Sequence, residues 1–215
     1  RAALWLAVIG LPLSLLLGVS EPLSTLAIIL SLAIAALGFT CLPKIWSAKA
    51  RCHLPPTAYA LHLGFAIMVL AVAASGPHKL EVTATLAPGQ QARLGEYTFT
   101  LREITQADDT FSRRLIDTAH LDITGPGGGS LGTLAPTLVL HYKTHRITTT
   151  HEAVVLSSLS RDIYAALLSR HEDGKATLAL SLHPLVNWLW IGGALMCLAA
   201  VARLARHRSY RHGRP

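Results

Sequence analysis

The stretch that decides the fold reads AYALHLGFAIMVLAVAAS and covers Ala58–Ser75. It is apolar, and its length is close to that needed to cross a hydrocarbon core of about 30 Å as a helix. A single imidazole, His62, lies within it. A polar side chain at membrane depth costs free energy unless it has a partner, so an intramembrane histidine indicates a function. The stretch predicts a membrane protein that handles a metal centre or a proton.

Three further apolar windows accompany this one, and half of all residues are hydrophobic while only 14% are charged. This is the composition of a membrane protein. The first window could also be a signal peptide, but a second window follows almost at once, so a hairpin of two helices is predicted. Four transmembrane helices are therefore expected, over windows without Lys, Arg, Asp or Glu: Ala2–Val19, Pro22–Leu42, Pro56–Ser75 and Pro184–Ala202.

Basic residues near the windows predict the orientation, because short loops rich in Lys and Arg stay in the cytoplasm. They lie between windows two and three and after window four, whereas the Ser20-Glu21 turn has none. The net charge of +7 is thus a topology signal. The predicted organisation is a transmembrane hairpin (1–43), a cytoplasmic basic loop (44–55), a helix with His62 (56–75), a periplasmic β-domain (76–183), a helix (184–203) and a cytoplasmic basic tail (204–215).

The segment 76–183 has the patterns of β-structure, with β-branched and aromatic residues alternating at period two in Leu80–Leu86 and Tyr97–Leu101. An antiparallel sandwich or small barrel is predicted. The stretch 151–170 would also suit a helix. The three cysteines, Cys41, Cys52 and Cys197, all lie outside this segment, so it offers no disulfide framework or thiol-redox motif.

No catalytic constellation is visible in the β-domain. The run Gly125–Ser130 has the glycines of a phosphate-binding loop but not its Lys-Ser/Thr, and indicates an ordinary loop. His141 and His145 would chelate a metal only on a helix. On a strand they would lie about 13 Å apart, at roughly 3.3 Å per residue, which is too far to share an ion. The aspartates Asp108, Asp109, Asp117 and Asp122 lack the spacing of a calcium loop.

Several motifs occur in one order along the chain. They are His62-Leu63-Gly64, Leu86-Ala87-Pro88-Gly89, Tyr97-Thr98-Phe99, Thr150-His151-Glu152, Arg161-Asp162-Ile163-Tyr164, and the run Pro184–Gly193 with Trp188 and Trp190. Together they resemble the C-terminal portion of the CcmF/NrfE family, the cytochrome c haem lyase subunits of bacterial system I maturation. The resemblance covers most of the chain from about Ala58.

The resemblance implies attachment of haem to apocytochrome c at the periplasmic face of the bacterial inner membrane. Implied partners are the haem chaperone CcmE, apocytochrome c and other Ccm maturation subunits. It also implies a b-type haem held within the membrane, with His62, in the family's His-x-Gly motif, as an axial ligand of the haem iron. The family's Trp-rich haem-handling segment and its other haem-ligating histidines are absent from this sequence. The chain is therefore expected to be a fragment or one part of a split lyase, inactive alone and dependent on the missing N-terminal portion or a companion chain.

Alternative interpretations remain for each feature. From the residues alone, His62 could instead be hydrogen-bonded to a neighbouring helix, and Gly64 could serve ordinary helix packing. Trp188 and Trp190 suit an interfacial aromatic belt better than haem contact. Arg161, Asp162 and Tyr164 are structural features of the β-domain or contacts to a partner. For the whole chain, the alternatives are a non-catalytic assembly subunit and a transporter piece with His62 as a proton relay, although uninterrupted spans disfavour a transporter.

Overall fold

The computed structural model describes residues 24–34, 56–143 and 146–212. The predicted span Ala2–Val19 and the basic loop 44–55 lie outside the described residues, and the span Pro22–Leu42 is described only over 24–34. The chain divides into a helical unit and a β-domain, Lys79–His183, which are treated separately below.

The helical unit contains α1 (Ser24–Ile34), α2 (Pro56–Ser75) and α3 (Val186–His212). Proline is favourable at the start of α2, where a helix has no use for its missing N–H. Gly76 and Pro77 end that helix. α3 continues into the predicted basic tail as far as His212, through a stretch of Ala, Leu and Arg that favours helix. Within the described residues, two segments are long and apolar enough to cross a membrane, Pro56–Ser75 and Val186–Ala205.

Over the described residues of the β-domain, ten strands form two sheets, which confirms the predicted all-β fold. One sheet has the order β1-β10-β9-β8. The other has the order β2-β3-β4-β6-β7, with β5 also paired to β4. The strands are β1 (Leu80–Leu86), β2 (Gln91–Leu94), β3 (Tyr97–Asp109), β4 (Arg114–Thr124), β5 (Ser130–Leu134), β6 (Thr137–Lys143), β7 (Arg146–Glu152), β8 (Val154–Ser157), β9 (Arg161–Arg170) and β10 (Ala176–Pro184).

Period-two burial builds the core of this domain. Alternate residues of β3, β4, β9 and β10 have less than 2% of their surface exposed: Phe99, Leu101, Leu121, Ile123, Leu167, Leu178 and Leu180. Burying side chains of this size stabilises the fold by about 1.5–3 kcal/mol each relative to exposure. The stretch 151–170, where helix was an alternative, forms strands, because Ile163, Ala165 and Leu167 are buried at every second position.

One acidic side chain is buried where it joins the two sheets. Asp117 of β4 is 4% exposed. Its Oδ1 accepts hydrogen bonds from Nε2 of Gln106 at 2.8 Å and from Nη1 of Arg170 at 2.9 Å. Arg170 ends β9 in the other sheet, so this ion pair connects the sheets. A buried carboxylate is tolerated here because it is both paired and hydrogen-bonded.

Candidate functional site

His62 lies in the second turn of α2, and its imidazole is exposed at the surface of the helical unit. Its Nδ1 lies 2.6 Å from the carbonyl oxygen of Ala58, one turn earlier in the same helix. A carbonyl oxygen only accepts hydrogen bonds, so Nδ1 carries the proton in this arrangement. Nε2 is then left with a lone pair that can bind a metal ion.

The alternative interpretation of His62 was an imidazole hydrogen-bonded to a neighbouring helix, and the observed hydrogen bond is of a different kind. The partner seen for its ring is the backbone of its own helix, not a side chain of a neighbouring one. Such a backbone contact is the usual way in which a metal-binding histidine is fixed in one tautomer and orientation. His78, just beyond α2, makes the same kind of contact, from Nδ1 to the carbonyl oxygen of Ala74 at 3.0 Å. The contact therefore permits ligation at His62 without requiring it.

A close helix crossing lies two residues from His62. A Cβ atom built on Gly64 would meet the carbonyl oxygen of Gly192 at 2.7 Å, and one built on Gly192 would meet that of Gly64 at 2.6 Å. Real Cβ atoms do not approach so closely, so α2 and α3 need glycine at both positions. Small residues allow helix backbones to approach in a membrane, where packing rather than apolar burial drives association. Gly64 thus packs against α3, which was the structural interpretation of this residue.

The stripe of α2 that begins at His62 continues with apolar side chains. Phe65, Val69 and Val72 follow His62 at intervals of three, four and three residues and therefore share one helix face. These three side chains, with Met68, Ala73, two residues of α1 and Leu189, line a crevice of about 400 Å³ within the helical unit. Val72 is 61% exposed there. The face that carries His62 therefore offers apolar surface to a lipid, a cofactor or another helix.

The other described residues that the sequence singled out do not form a metal-binding cluster with His62. Among the residues that the structure describes, no group of three or more His, Cys, Asp or Glu side chains could hold a metal ion. Trp190 is 70% exposed and Trp188 is 40% exposed. In the β-domain, Nε2 of His141 lies 3.3 Å from Oγ1 of Thr150, while His145 lies outside the described residues. His141 is on strand β6, so the helical spacing required for chelation is not present.

Arg161 and Tyr97 form an arrangement that the sequence analysis missed. The guanidinium carbon of Arg161 lies 5.0 Å from the centre of the Tyr97 ring, in a cation–π contact. Both residues line a cavity of about 490 Å³ in the β-domain. Their positions at the first residues of β3 and β9 gave no local signal that they meet, because 64 residues separate them in the chain.

Comparison with known proteins gives a consistent result. No family model matches the chain. It is 31% identical over 140 residues to the cytochrome c-type biogenesis protein CcmF of Haemophilus influenzae, and 28% identical over 153 residues to CcmF of Escherichia coli K12. The protein NrfE of Haemophilus influenzae is 29% identical over 140 residues. These matches cover 65%, 66% and 65% of this chain. A solved structure, that of the cytochrome c haem lyase CcmF, has the same fold over 93% of the chain, with a TM-score of 0.70 and 23% identity.

The chain is homologous to the CcmF/NrfE family. The predicted resemblance is thereby confirmed. The chain spans about a fifth of the length of these curated relatives and a third of the solved CcmF chain.

The structural match to CcmF covers both the helical unit and the β-domain of this chain. The solved CcmF structure matches nearly the whole chain, so the combination of apolar helices with an inserted β-domain is a feature shared with that protein. The low identity to that structure makes this a statement about fold. The match does not assign a role to the individual motifs of this chain.

Proposed function

We propose that the chain is part of a cytochrome c haem lyase, in which His62 is an axial ligand of a b-type haem within the membrane. Two observations support the proposal. The chain is homologous to cytochrome c-type biogenesis proteins, and His62 has an Nε2 lone pair free for iron in an otherwise apolar helix. The position of His62 in a His-x-Gly motif within an apolar helix carries the site assignment, and the hydrogen bond to the Ala58 carbonyl is compatible with it.

The residues present fit one axial position of a haem. Imidazole nitrogen is a suitable ligand for iron, and a haem iron takes one or two axial ligands. His78 is the other described histidine adjoining α2, and at 1.5 Å rise per residue it lies about 24 Å further along the axis. A second axial ligand is therefore proposed to come from outside the described residues, in a companion chain of the lyase. When bound, the haem would supply one-electron transfer.

The depth of His62 favours electron transfer over attachment chemistry. Thirteen residues separate His62 from Ser75, the last residue of α2, which corresponds to about 20 Å of helix. A thioether bond on an apocytochrome outside the membrane cannot form at that distance. We therefore infer that this haem is not the one transferred. It either carries the electrons that reduce the transferred haem iron or holds the helices together.

Partners and localisation follow from the same proposal. The β-domain would lie in the periplasm, where it would face CcmE, apocytochrome c and other Ccm subunits, and the apolar helices would lie in the bacterial inner membrane. The basic residues between windows two and three and after window four support this orientation. An alkaline phosphatase fusion after Gly125 should be active, and one after Lys49 should be inactive. The reverse pattern would overturn the orientation.

The test of the ligand is His62→Ala in the assembled lyase that contains this chain. The wild-type complex should show a low-spin, six-coordinate haem spectrum, which His62→Ala should abolish or sharply weaken together with cytochrome c maturation. His78→Ala is the matched control, because it removes an imidazole with the same backbone contact, and it should leave the spectrum unchanged. Exogenous imidazole should partly restore the His62→Ala signal by filling the vacated position.

Two results would contradict the proposal. An unchanged haem spectrum and full maturation in His62→Ala would make His62 a packed helix residue. A complex that matures no cytochrome but docks the other subunits would favour the alternative of a non-catalytic assembly subunit.

A further inference from the structure

The cavity of about 490 Å³ in the β-domain lies where two sheet edges meet. Leu131 of β5 and Leu156 of β8 both line it. β8 is the last strand of the four-stranded sheet, and β5 pairs with β4 alone. The buried side chain of Ile163 adds to the apolar wall. The cavity therefore offers an apolar wall that can receive part of a ligand, beside serine residues that also line it: Ser130, Ser157, Ser158 and Ser160.

Of the described residues that line this cavity, Arg161 alone carries a charge. Among the residues that the structure describes, its guanidinium forms no ion pair, and its Nε donates a hydrogen bond to Oγ of Ser160 at 3.3 Å. The Tyr97 ring holds the guanidinium from one side. The backbone of Arg161 is fixed as well, since its carbonyl oxygen accepts from the backbone N–H of Ser158 at 2.9 Å and from Oγ of the same residue at 2.8 Å. The positive charge is thus held in place by a hydroxyl group and an aromatic ring, with no carboxylate paired to it within the described part of the chain.

Tyr97 provides a second observation at the same place. The residue is 3% exposed, and its hydroxyl group has no hydrogen-bond partner within the described part of the chain. An unpaired buried polar atom costs about 1–3 kcal/mol. Such atoms are rare in native structures, where they accompany strain, a functional role, or a bound water or ion.

We propose that this cavity binds a carboxylate group carried on an apolar molecule, with the Arg161 guanidinium as its anchor. Guanidinium and carboxylate match in shape and can form two parallel hydrogen bonds. A single cation in an apolar setting suits a monoanion better than a dianionic phosphate. The carboxylate could come from two sources, the propionate of a porphyrin or an acidic side chain of an extended peptide. The site is separate from His62 and does not require a haem there.

The test uses the full chain in detergent and two pairs of probes. The first pair is metal-free protoporphyrin and its dimethyl ester, followed by porphyrin fluorescence. Without iron this porphyrin cannot be ligated by His62, and the Arg161 variants below separate binding at this cavity from any binding to the apolar helices. The second pair is a fluorescent peptide of alternating Val and Thr with a central Glu, and the same peptide with Gln. In at least one pair the free carboxylate should bind about tenfold tighter, a ratio that corresponds to about 1.4 kcal/mol.

The variants assign this preference to the cavity. Arg161→Gln should remove it, and Arg161→Lys should keep part of it. Arg102→Gln is the control, because Arg102 is an exposed arginine of the same domain that faces Asp122, and it should bind both probes like the wild type. Leu131→Trp, at a side chain that is 47% exposed, should block the cavity without emptying the core. Circular dichroism confirms that each variant is folded.

Each pattern of results decides the proposal. Discrimination in the porphyrin pair alone identifies a propionate as the ligand group, and discrimination in the peptide pair alone identifies an acidic segment. Discrimination in both pairs that Arg161→Gln removes shows that the cavity accepts a carboxylate from either source. If neither pair discriminates, or if the preference persists in Arg161→Gln or in Leu131→Trp, the cavity is not a carboxylate site.

Discussion

Gly64 of α2 and Gly192 of α3 face each other at a helix crossing, and each backbone occupies the space that a side chain on the other would need. The hypothetical Cβ atoms would lie 2.7 Å and 2.6 Å from the opposite carbonyl oxygens. The relationship is reciprocal, with Met196 and Met68 as the next neighbours on either side. Because His62 lies half a turn from Gly64, this crossing also fixes the helix segment that presents the imidazole.

The chain contains a matched control for this crossing. A Cβ on Gly192 meets backbone atoms, whereas a Cβ on the adjacent Gly193 meets nothing within 4 Å. Gly192→Ala should therefore lower the stability of the helical unit by about 1–3 kcal/mol, as overpacking does elsewhere. Gly193→Ala should be neutral or slightly stabilising, because alanine favours helix. Thermal unfolding in detergent measures both, and equal destabilisation by the two changes would contradict the crossing.

Asp117 and Asp122 lie on the same strand, and we expect their replacement by alanine to lower the free energy of unfolding by different amounts. Asp117→Ala leaves Arg170 and Gln106 without their acceptor, so the β-domain should lose about 1–3 kcal/mol. Asp122→Ala removes an exposed pair with Arg102, whose atoms lie 3.5 Å apart, and should cost about 0–1 kcal/mol. Chemical denaturation of the two variants makes the comparison. A loss at Asp122 that equals the loss at Asp117 would contradict the role of Asp117 as a link between the sheets.

Asp173 makes the stability of one turn depend on pH. Its pKa is lowered from the ordinary 3.8, first by the side-chain hydrogen bond from Lys175 and then by the backbone N–H of the same residue. A lowered folded-state pKa means that the contribution is present above the unfolded value near 3.8 and is lost as the pH falls through the folded pKa. Carboxyl NMR titration should place the Asp173 midpoint below 3.8, and Lys175→Met should raise it. A midpoint that does not respond to Lys175→Met would contradict this cause.

Tyr97→Phe tests the unpaired hydroxyl group. Because this hydroxyl has no partner in the described residues, its removal should leave the free energy of unfolding unchanged or raise it by up to about 1–2 kcal/mol. The ring that contacts Arg161 is retained. Thermal denaturation without ligand is the measurement. A clear loss of stability would show that the hydroxyl has a partner, and would weaken the case for a ligand at this cavity.

The β-domain should fold without disulfides. No cysteine lies in Lys79–His183. Expressed as 77–183, it should give a strand-type circular dichroism spectrum that does not change with reductant. A helical spectrum would contradict the two sheets.

Much of the fold was predictable because its signals are local. The window Pro56–Ser75 is a helix with the predicted bounds, since an uninterrupted apolar run has no other way to satisfy its backbone in a membrane. The alternation in Leu80–Leu86 became β1, because period two is the pattern of a strand with one buried face. The order of several motifs, from His62-Leu63-Gly64 to the run Pro184–Gly193, resembles the CcmF/NrfE family, and sequence similarity to CcmF and NrfE proteins confirmed that resemblance. The stretch 151–170 was ambiguous, because Ala and Leu carry little preference between helix and strand when read alone.

The sequence by itself determined the apolar spans, the strand-rich segment between them and the isolated imidazole in the second described helix. Tertiary structure decided which distant residues meet. Gly64 contacts Gly192 only because the two helices cross. The contacts of Asp117 with Arg170 and of Tyr97 with Arg161 form only when the two sheets pack. The periodicity of a segment predicts which of its faces is buried. The partner of that face depends on chain topology and on the shape of the core, and neither can be read from a local stretch of sequence.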